Sequence, residues 1–111
     1  LGAAGLKDIG YYFPPEDDAY KGISSMILLK HVNSLLKERG LEAYNIDIMV
    51  ISETPKLKPH IDTMKANLQS VLEIPLDRIS IKATTNEMLG AIGRREGIAA
   101  QAVVSVYEGE V

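Results

Sequence analysis

The side chains best suited to act on a phosphorylated ligand stand where the predicted strands of this chain end. Thr84 and Thr85 follow one such strand, and their hydroxyls, together with the next backbone amides, are groups that bind phosphate. Glu87 supplies a carboxylate that could hold a divalent cation. The same run is also a capping box, S/T-x-x-E, and the residues alone favour that structural interpretation. Lys56 and Arg94 add positive charge in neighbouring loops, although either residue by itself is more typical of a solvated surface.

Several common chemistries lack their residues in this sequence. There is no cysteine, so no disulfide or thiolate is available, and the two histidines, His31 and His60, favour surface positions over a metal site. Neither a glycine-rich phosphate loop nor a nucleophile elbow occurs. The formal charge of −3 lacks the positive field of a nucleic-acid binder, and no apolar run approaches the roughly 18 residues of a membrane span. We therefore predict neither a nucleic-acid nor a membrane partner.

The elements that must position these residues follow from the hydrophobic pattern. Two stretches repeat apolar side chains at intervals of three and four and predict amphipathic helices, at residues 23–38 and from Pro59 to shortly before Pro75. Three stretches alternate or are continuously apolar and predict strands, at residues 45–52, 78–83 and 98–107. A short helix should follow the capping box. The order predicts an α/β (α+β) two-layer sandwich with helices on one face of the sheet, in a single domain over residues 1–111.

Two further segments stand out before the first long helix. Residues 8–22 hold four of the six aromatic residues beside acidic side chains, and the Pro14–Pro15 pair predicts a loop without helix. Function and simple cover of the core edge are equally good interpretations of that loop. Residues 1–6 resemble the end of a helix stopped by Gly5, so we expect the chain to begin inside a larger fold. Three strands also make a narrow sheet, which suggests further strands or a partner.

Four segments in this order resemble the 2-C-methyl-D-erythritol 2,4-cyclodiphosphate synthase family. They are residues 1–15, the N-I-D-I, P-K and P-H-I runs between 45 and 61, K-A-T-T-N-E-M-L-G at 82–90, and G-R-R-E-G-I-A at 93–99. The resemblance covers the whole chain, as the C-terminal two thirds of the family domain. It implies a homotrimer with active sites at subunit boundaries, in the bacterial cytoplasm or a plastid.

The activity that the resemblance implies is that of a phosphorus–oxygen lyase of the non-mevalonate route to isoprenoids. Such an enzyme cyclises 4-CDP-2-C-methyl-D-erythritol 2-phosphate to 2-C-methyl-D-erythritol 2,4-cyclodiphosphate and releases CMP. The small CDP-linked substrate is therefore the expected ligand. The alternative is a non-catalytic trimeric ligand-binding α/β module, which would explain the fold and the acidic charge but not the coincidence of four motifs.

Roles for individual residues follow from the same resemblance. It makes Thr85 the catalytic residue that stabilises the transition state, and Glu87 the ligand of a second cation. It places Arg94 near phosphate and at the central cavity of the trimer. The predicted substrate-binding residues are Asp8, Ile9 and Gly10 at the ribose side; Phe13, Pro14, Pro15, Glu16 and Asp17 in a loop over the methylerythritol; Ser52, Glu53, Thr54, Pro55, Lys56, Leu57 and Lys58 at the cytidine; and Thr84, Thr85, Asn86, Glu87 and Arg94 at the phosphates.

The resemblance implies zinc, together with magnesium or manganese, in the full-length protein. The family's zinc ligands lie in D-x-H and H-S-D-G-D motifs that this sequence does not contain, and we expect them upstream of Leu1. Zinc is therefore not expected in the chain as written, which we expect to be inactive by itself. Three family positions differ here, since Pro15 replaces Asp, Ala91 replaces Phe, and Gln101 replaces a Glu that would pair with the arginine.

Overall fold

The structure is a computed structural model that describes residues 1–109. A three-stranded mixed sheet forms its centre. The last two residues of the predicted domain, Glu110 and Val111, lie outside the described residues. The strands lie in the order β2–β1–β3, and β1 pairs in parallel with β2 and antiparallel with β3. Their bounds are Leu41–Ile51 for β1, Ile79–Thr84 for β2 and Ala99–Glu108 for β3.

The register of the sheet gathers apolar side chains on one face. Ile46 of β1 lies opposite Ile79 on one side and Val104 on the other, and cross-strand partners share a face. The buried cluster of the core therefore combines sheet residues with residues at the end of a helix. It consists of Ile46, Leu72, Ile74, Ile79 and Ile81.

Two amphipathic helices cover that face, α2 over Ser25–Glu38 and α3 over Ile61–Leu72. Helix α2 packs against β1, α3 packs against β2, and the two helices contact each other. The buried Asn33 amide nitrogen donates a hydrogen bond to the Val71 carbonyl at 3.3 Å, which satisfies one of the orphan carbonyls in the last turn of α3. The helices and the small sheet confirm the predicted α/β (α+β) fold.

Glycines end two helical segments as the sequence predicts. Gly5 has φ +70° after the 3₁₀ turn Gly2–Ala4, and the Leu6 amide then donates to the Leu1 carbonyl at 3.1 Å. Gly40, after α2, has the same φ of +70°. Glycine adopts this left-handed conformation without the steric cost that a Cβ brings.

The prediction that β1 begins at residue 45 is wrong by four residues. The strand begins at Leu41, and a register shift between Ala43 and Asn45 leaves Tyr44 and Asn45 exposed together. Such a bulge breaks the alternation of buried and exposed side chains, and that alternation is the only signal of a half-buried strand in a sequence.

The prediction of a loop without helix over residues 8–22 is also wrong. A single helical turn, α1, spans Ile9–Tyr12, and a 3₁₀ turn spans Asp18–Tyr20. Proline restricts its own position and the residue before it, so Pro14 does not prevent a helical turn that ends at residue 12.

The capping box at residues 84–87 does not form. Thr84 is the last residue of β2 and lies opposite Ile51 in the parallel ladder, so it is committed to the sheet. Glu87 and Met88 have φ angles of +53° and +61°, which no helical first turn allows. The next helical turn, α4, spans Gly90–Gly93.

The sheet face opposite the helices is largely exposed within residues 1–109. Asp47 and Lys82 form an exposed ion pair there at 2.8 Å, and Val103 on β3 is 69% exposed. None of the helices in the same range has the length and apolar character needed to cross a membrane.

Candidate functional site

An open cavity of about 550 Å³ lies where β1 and β2 end side by side. Because these strands are parallel neighbours, the loops that follow them leave the sheet at the same edge. The cavity thus joins two segments that the sequence predicts to bind ligand, residues 52–58 and residues 84–87. Its lining consists of Ser52, Lys56, Leu57, Lys58, Pro59, Ala83, Thr84 and Thr85.

Ser52 holds the loop after β1 against the end of β2. Its backbone amide donates to the Thr84 carbonyl at 2.9 Å, which extends the ladder by one bond beyond the strand. Its buried hydroxyl donates to the Pro55 carbonyl at 3.2 Å and closes the loop on itself. The second bond occupies the Ser52 side chain, so the exposed Lys56 and Lys58 are the residues of this loop that can offer a positive charge to a ligand.

Glu53 follows Ser52 but its carboxylate is turned towards the neighbouring loop. One oxygen, Oε1, accepts hydrogen bonds from the backbone amides of Asn86 at 2.9 Å and Met88 at 3.0 Å. The pKa of the Glu53 carboxyl lies below its ordinary value, mainly because of the bond from Met88. Desolvation acts in the opposite direction and raises this pKa. The Asn86 bond and the charges of Lys56 and Arg95 lower it further. Glu53 therefore contacts the protein's own backbone.

The loop between β2 and α4 carries Thr85 and Glu87. The Asn86 side-chain amide donates to the Leu89 carbonyl at 2.7 Å, and the Leu89 amide donates back to the Asn86 carbonyl at 3.0 Å. The Glu87 amide approaches the Thr85 hydroxyl oxygen at 3.4 Å. The Glu87 side chain itself is exposed, so its carboxylate can meet a ligand from solution.

Arg94 does not line the cavity. Its guanidinium forms an exposed ion pair with Glu96, with Nη2 2.9 Å and Nε 3.0 Å from the same carboxylate oxygen. The predicted contact of Arg94 with phosphate stays a prediction, and the side chain would have to exchange this partner to make it.

The predicted ligand residues of the N-terminal loop are also placed away from the lining of this cavity. Phe13 instead packs edge-to-face against Tyr20 and against His31 of α2, with ring centroids 5.4 and 5.9 Å apart. The loop is thus docked on α2. The residues in question are Asp8, Ile9, Gly10, Phe13, Pro14, Pro15, Glu16 and Asp17.

Two lining residues are absent from the sequence predictions, Pro59 and Ala83. Ala83 directly precedes Thr84 in β2, so its position at the end of a strand is the signal that could have identified it as a lining residue. The sequence predicts that Pro59 starts a helix, whereas α3 begins at Ile61 and Pro59 lies in the 3₁₀ turn Lys58–His60, which borders the cavity.

The residues that the structure describes do not fit a zinc site. Within residues 1–109 no group of three or more His, Asp or Glu side chains is placed to hold a metal ion. His31 packs on Phe13, and His60 is exposed in the turn before α3. A hard cation such as Mg²⁺ asks for less, because one or two carboxylates and the ligand's own phosphates suffice, and the exposed Glu87 fits that demand.

Together, these observations define a small α/β protein with an open cavity at the carboxyl ends of its two parallel strands. Residues 1–107 match the model of the YgbB family. The chain belongs to that family.

Individual relatives agree with this assignment. The chain is 53% identical over 104 residues to 2-C-methyl-D-erythritol 2,4-cyclodiphosphate synthase of Nostoc punctiforme. The matched region covers 94% of this chain and 65% of that relative. The chain spans about two thirds of the length of the curated relatives it matches, from 63% to 69%.

Solved structures show the same fold. The bifunctional IspDF from Campylobacter jejuni superposes with a TM-score of 0.90 at 45% identity, over 96% of this chain and 29% of that one. IspF of Plasmodium falciparum in complex with CDP superposes with a TM-score of 0.84 at 32% identity, over 99% of this chain and 65% of that one.

Replacement of Gly93 by alanine should destabilise the loop that carries Thr85 and Glu87. A Cβ at Gly93 would overlap the Met88 carbonyl carbon, so one backbone segment must shift. We expect the Gly93→Ala variant of the complete protein to lose about 1–3 kcal/mol in urea unfolding.

Gly97→Ala is the matched control, because a Cβ there meets no atom within 4 Å. Its free energy of unfolding should stay within about 0.5 kcal/mol of the parent. Equal stability of the two variants would contradict the close approach of Gly93 to Met88.

Proposed function

We propose that the protein is a 2-C-methyl-D-erythritol 2,4-cyclodiphosphate synthase. The complete protein would cyclise 4-CDP-2-C-methyl-D-erythritol 2-phosphate and release CMP. The observation that carries the proposal is the cavity between residues 52–58 and Thr84–Thr85, in a chain 53% identical to a relative of that name. Similarity to a CDP complex supports a CDP-linked ligand. Bacterial relatives support a cytoplasmic reaction, with a plastid as the other compartment.

The reaction is an intramolecular phosphoryl transfer. An oxygen of the 2-phosphate forms a bond to the β-phosphorus of the diphosphate, and the bond from that phosphorus to the CMP oxygen breaks. CMP leaves with the electron pair. Because the attacking phosphate is already an anion, a general base is not essential, and positioning and charge stabilisation remain for the protein to supply.

The cavity supplies groups of those types. The Thr85 hydroxyl is a donor for phosphate oxygens, and Thr85 is the proposed catalytic residue. The Thr84 hydroxyl donates to the Thr85 carbonyl at 3.3 Å and would exchange that partner to bind phosphate. Lys56 and Lys58 bring positive charge to the side where the cytidine diphosphate would lie. Arg94 would add charge at the phosphates after it leaves Glu96.

Glu87 is the proposed ligand of a magnesium or manganese ion shared with the diphosphate. A bound ion of this kind neutralises phosphate charge and polarises the phosphorus centre. No step is assigned to zinc, because the described residues do not form a site for it.

We propose a homotrimer with the site shared between subunits. The proposal is supported by large apolar side chains that stand exposed near the cavity loops and on the open sheet face, since extensive apolar exposure is typical of interfaces. Met88 is 79% exposed, Leu89 and Val103 are each 69% exposed, and Ile98 is 54% exposed. Such a boundary would let residues 8–17 of one subunit act at the site of another.

Sedimentation of the complete protein at micromolar concentration checks the assembly. We expect a particle of three chains, because closing the exposed face buries apolar surface. A stable monomer at that concentration would exclude the trimer.

Replacement of Glu87 by glutamine should separate catalysis from stability. Gln is a poor ligand for a hard cation, so CMP release by the complete protein should fall by roughly 100-fold or more, and the gain in CDP affinity on adding Mg²⁺ should disappear. Unfolding free energy should change by less than about 0.5 kcal/mol, because Glu87 caps no helix.

Glu38→Gln, on the exposed end of α2, is the control and should release CMP at the parental rate. CMP release by Glu87→Gln at the parental rate would contradict the proposal that Glu87 holds a cation. CDP binding without CMP release by the parent protein itself would favour the non-catalytic binding module.

Replacement of Lys56 by alanine should weaken binding of CDP about tenfold, because one charged partner of the phosphates is lost. Calorimetry on the complete protein measures the dissociation constant. Lys30→Ala, which removes an exposed lysine of α2 away from the cavity, should leave it unchanged. Equal affinities of the two variants would take Lys56 out of the site.

A further inference from the structure

The turn between β2 and α4 holds two residues in a conformation that their side chains disfavour. Glu87 and Met88 have φ angles of +53° and +61°, and neither is glycine, asparagine or aspartate. Left-handed backbone at such residues persists only where surrounding contacts impose it. The turn also carries Thr85 and Glu87, whose positions matter most to the proposed function. Something outside the turn must therefore hold it.

Glu53 makes the contact that meets this need. Its Oε1 atom accepts hydrogen bonds from the amides of Asn86 and Met88, the residues on either side of Glu87. The two donors converge on one oxygen, at 2.9 and 3.0 Å, and so fix the direction of the backbone on both sides of Glu87. Bonds from amides to a charged carboxylate are stronger than those between neutral groups.

The same contact joins the two halves of the cavity. Glu53 follows Ser52, whose amide is bonded to the Thr84 carbonyl at the end of β2. The loop at residues 52–58 is therefore bonded to the end of β2 through backbone and to the turn at residues 85–88 through the Glu53 side chain.

We propose that Glu53 is a positioning residue whose carboxylate clamps the turn around Glu87 and sets it against the loop at residues 52–58. This role concerns the protein's own backbone and needs no contact between Glu53 and a ligand. Its consequence for turnover rests on the proposed function, whereas its consequence for the turn does not.

Amide hydrogen exchange of the complete protein tests the clamp without reference to any activity. In Glu53→Ala the amides of Asn86 and Met88 should exchange about tenfold faster or more, because both lose their acceptor. Glu53→Gln keeps a carbonyl oxygen at the same place and should hold the two rates within about threefold of the parent. Glu38→Ala, the loss of an exposed carboxylate elsewhere, should change neither rate.

Two results would overturn the clamp. One is parental exchange at both amides in Glu53→Ala. The other is exchange in Glu53→Gln as fast as in Glu53→Ala, because an oxygen acceptor would then not be what holds the turn. If Glu53→Ala accelerates exchange throughout the chain, the Glu53→Gln variant is decisive. Exchange at Asn86 and Met88 near the parental rate supports the clamp, and exchange as fast as in Glu53→Ala contradicts it.

Kinetics of the complete protein then test what the clamp does for the reaction. We expect Glu53→Ala to lower kcat about tenfold while the dissociation constant of CDP changes less than about threefold, and Glu53→Gln to restore most of kcat. A general loss of structure would also weaken binding of CDP, so the nearly unchanged dissociation constant separates the two causes. Absence of CMP release by the parent protein would contradict the proposed function but not the clamp, whereas parental kcat in Glu53→Ala would overturn the effect on turnover.

Discussion

The parallel pairing of β1 with β2 is the constraint on which the rest of the structure depends. Two parallel neighbours end at the same edge of a sheet, so the loops that follow them must leave the sheet side by side. The cavity exists for that reason, and Ser52 continues the ladder one bond further through the Thr84 carbonyl. Two parallel strands also need a connection that crosses from the end of one to the start of the next, and α3 lies in that connection. Leu72 of α3 belongs to the same buried cluster as Ile79 of β2.

Some contacts near this edge pack the helices on the sheet, and others shape the turn that borders the cavity. Helices α2 and α3 cover only one face of the sheet, and Asn33 links them through the Val71 carbonyl. The turn at residues 85–88 is shaped by Glu53, by the Asn86–Leu89 bonds and by the close approach of Gly93 to Met88.

A similar solved structure, IspF of Plasmodium falciparum, is a CDP complex, and that similarity is the support for the CDP-linked ligand proposed above. Within residues 1–109, the cavity proposed for that ligand lies at one edge of the sheet. The loop with Phe13 is docked on α2, away from the lining of that cavity.

The sequence by itself determined the helices, the approximate strands and the candidate loops, because hydrophobic period and turn residues such as Gly5 and Gly40 are local signals. It also carried the family resemblance, which selected Thr84, Thr85 and Glu87. Only the tertiary structure decided that Thr84 belongs to the sheet and not to a helix cap, since its pairing with Ile51 depends on a residue 33 positions away. The role of Glu53 was hidden for the same reason: its partners, Asn86 and Met88, are 33 and 35 positions distant, and nothing in the local sequence says where a folded chain returns.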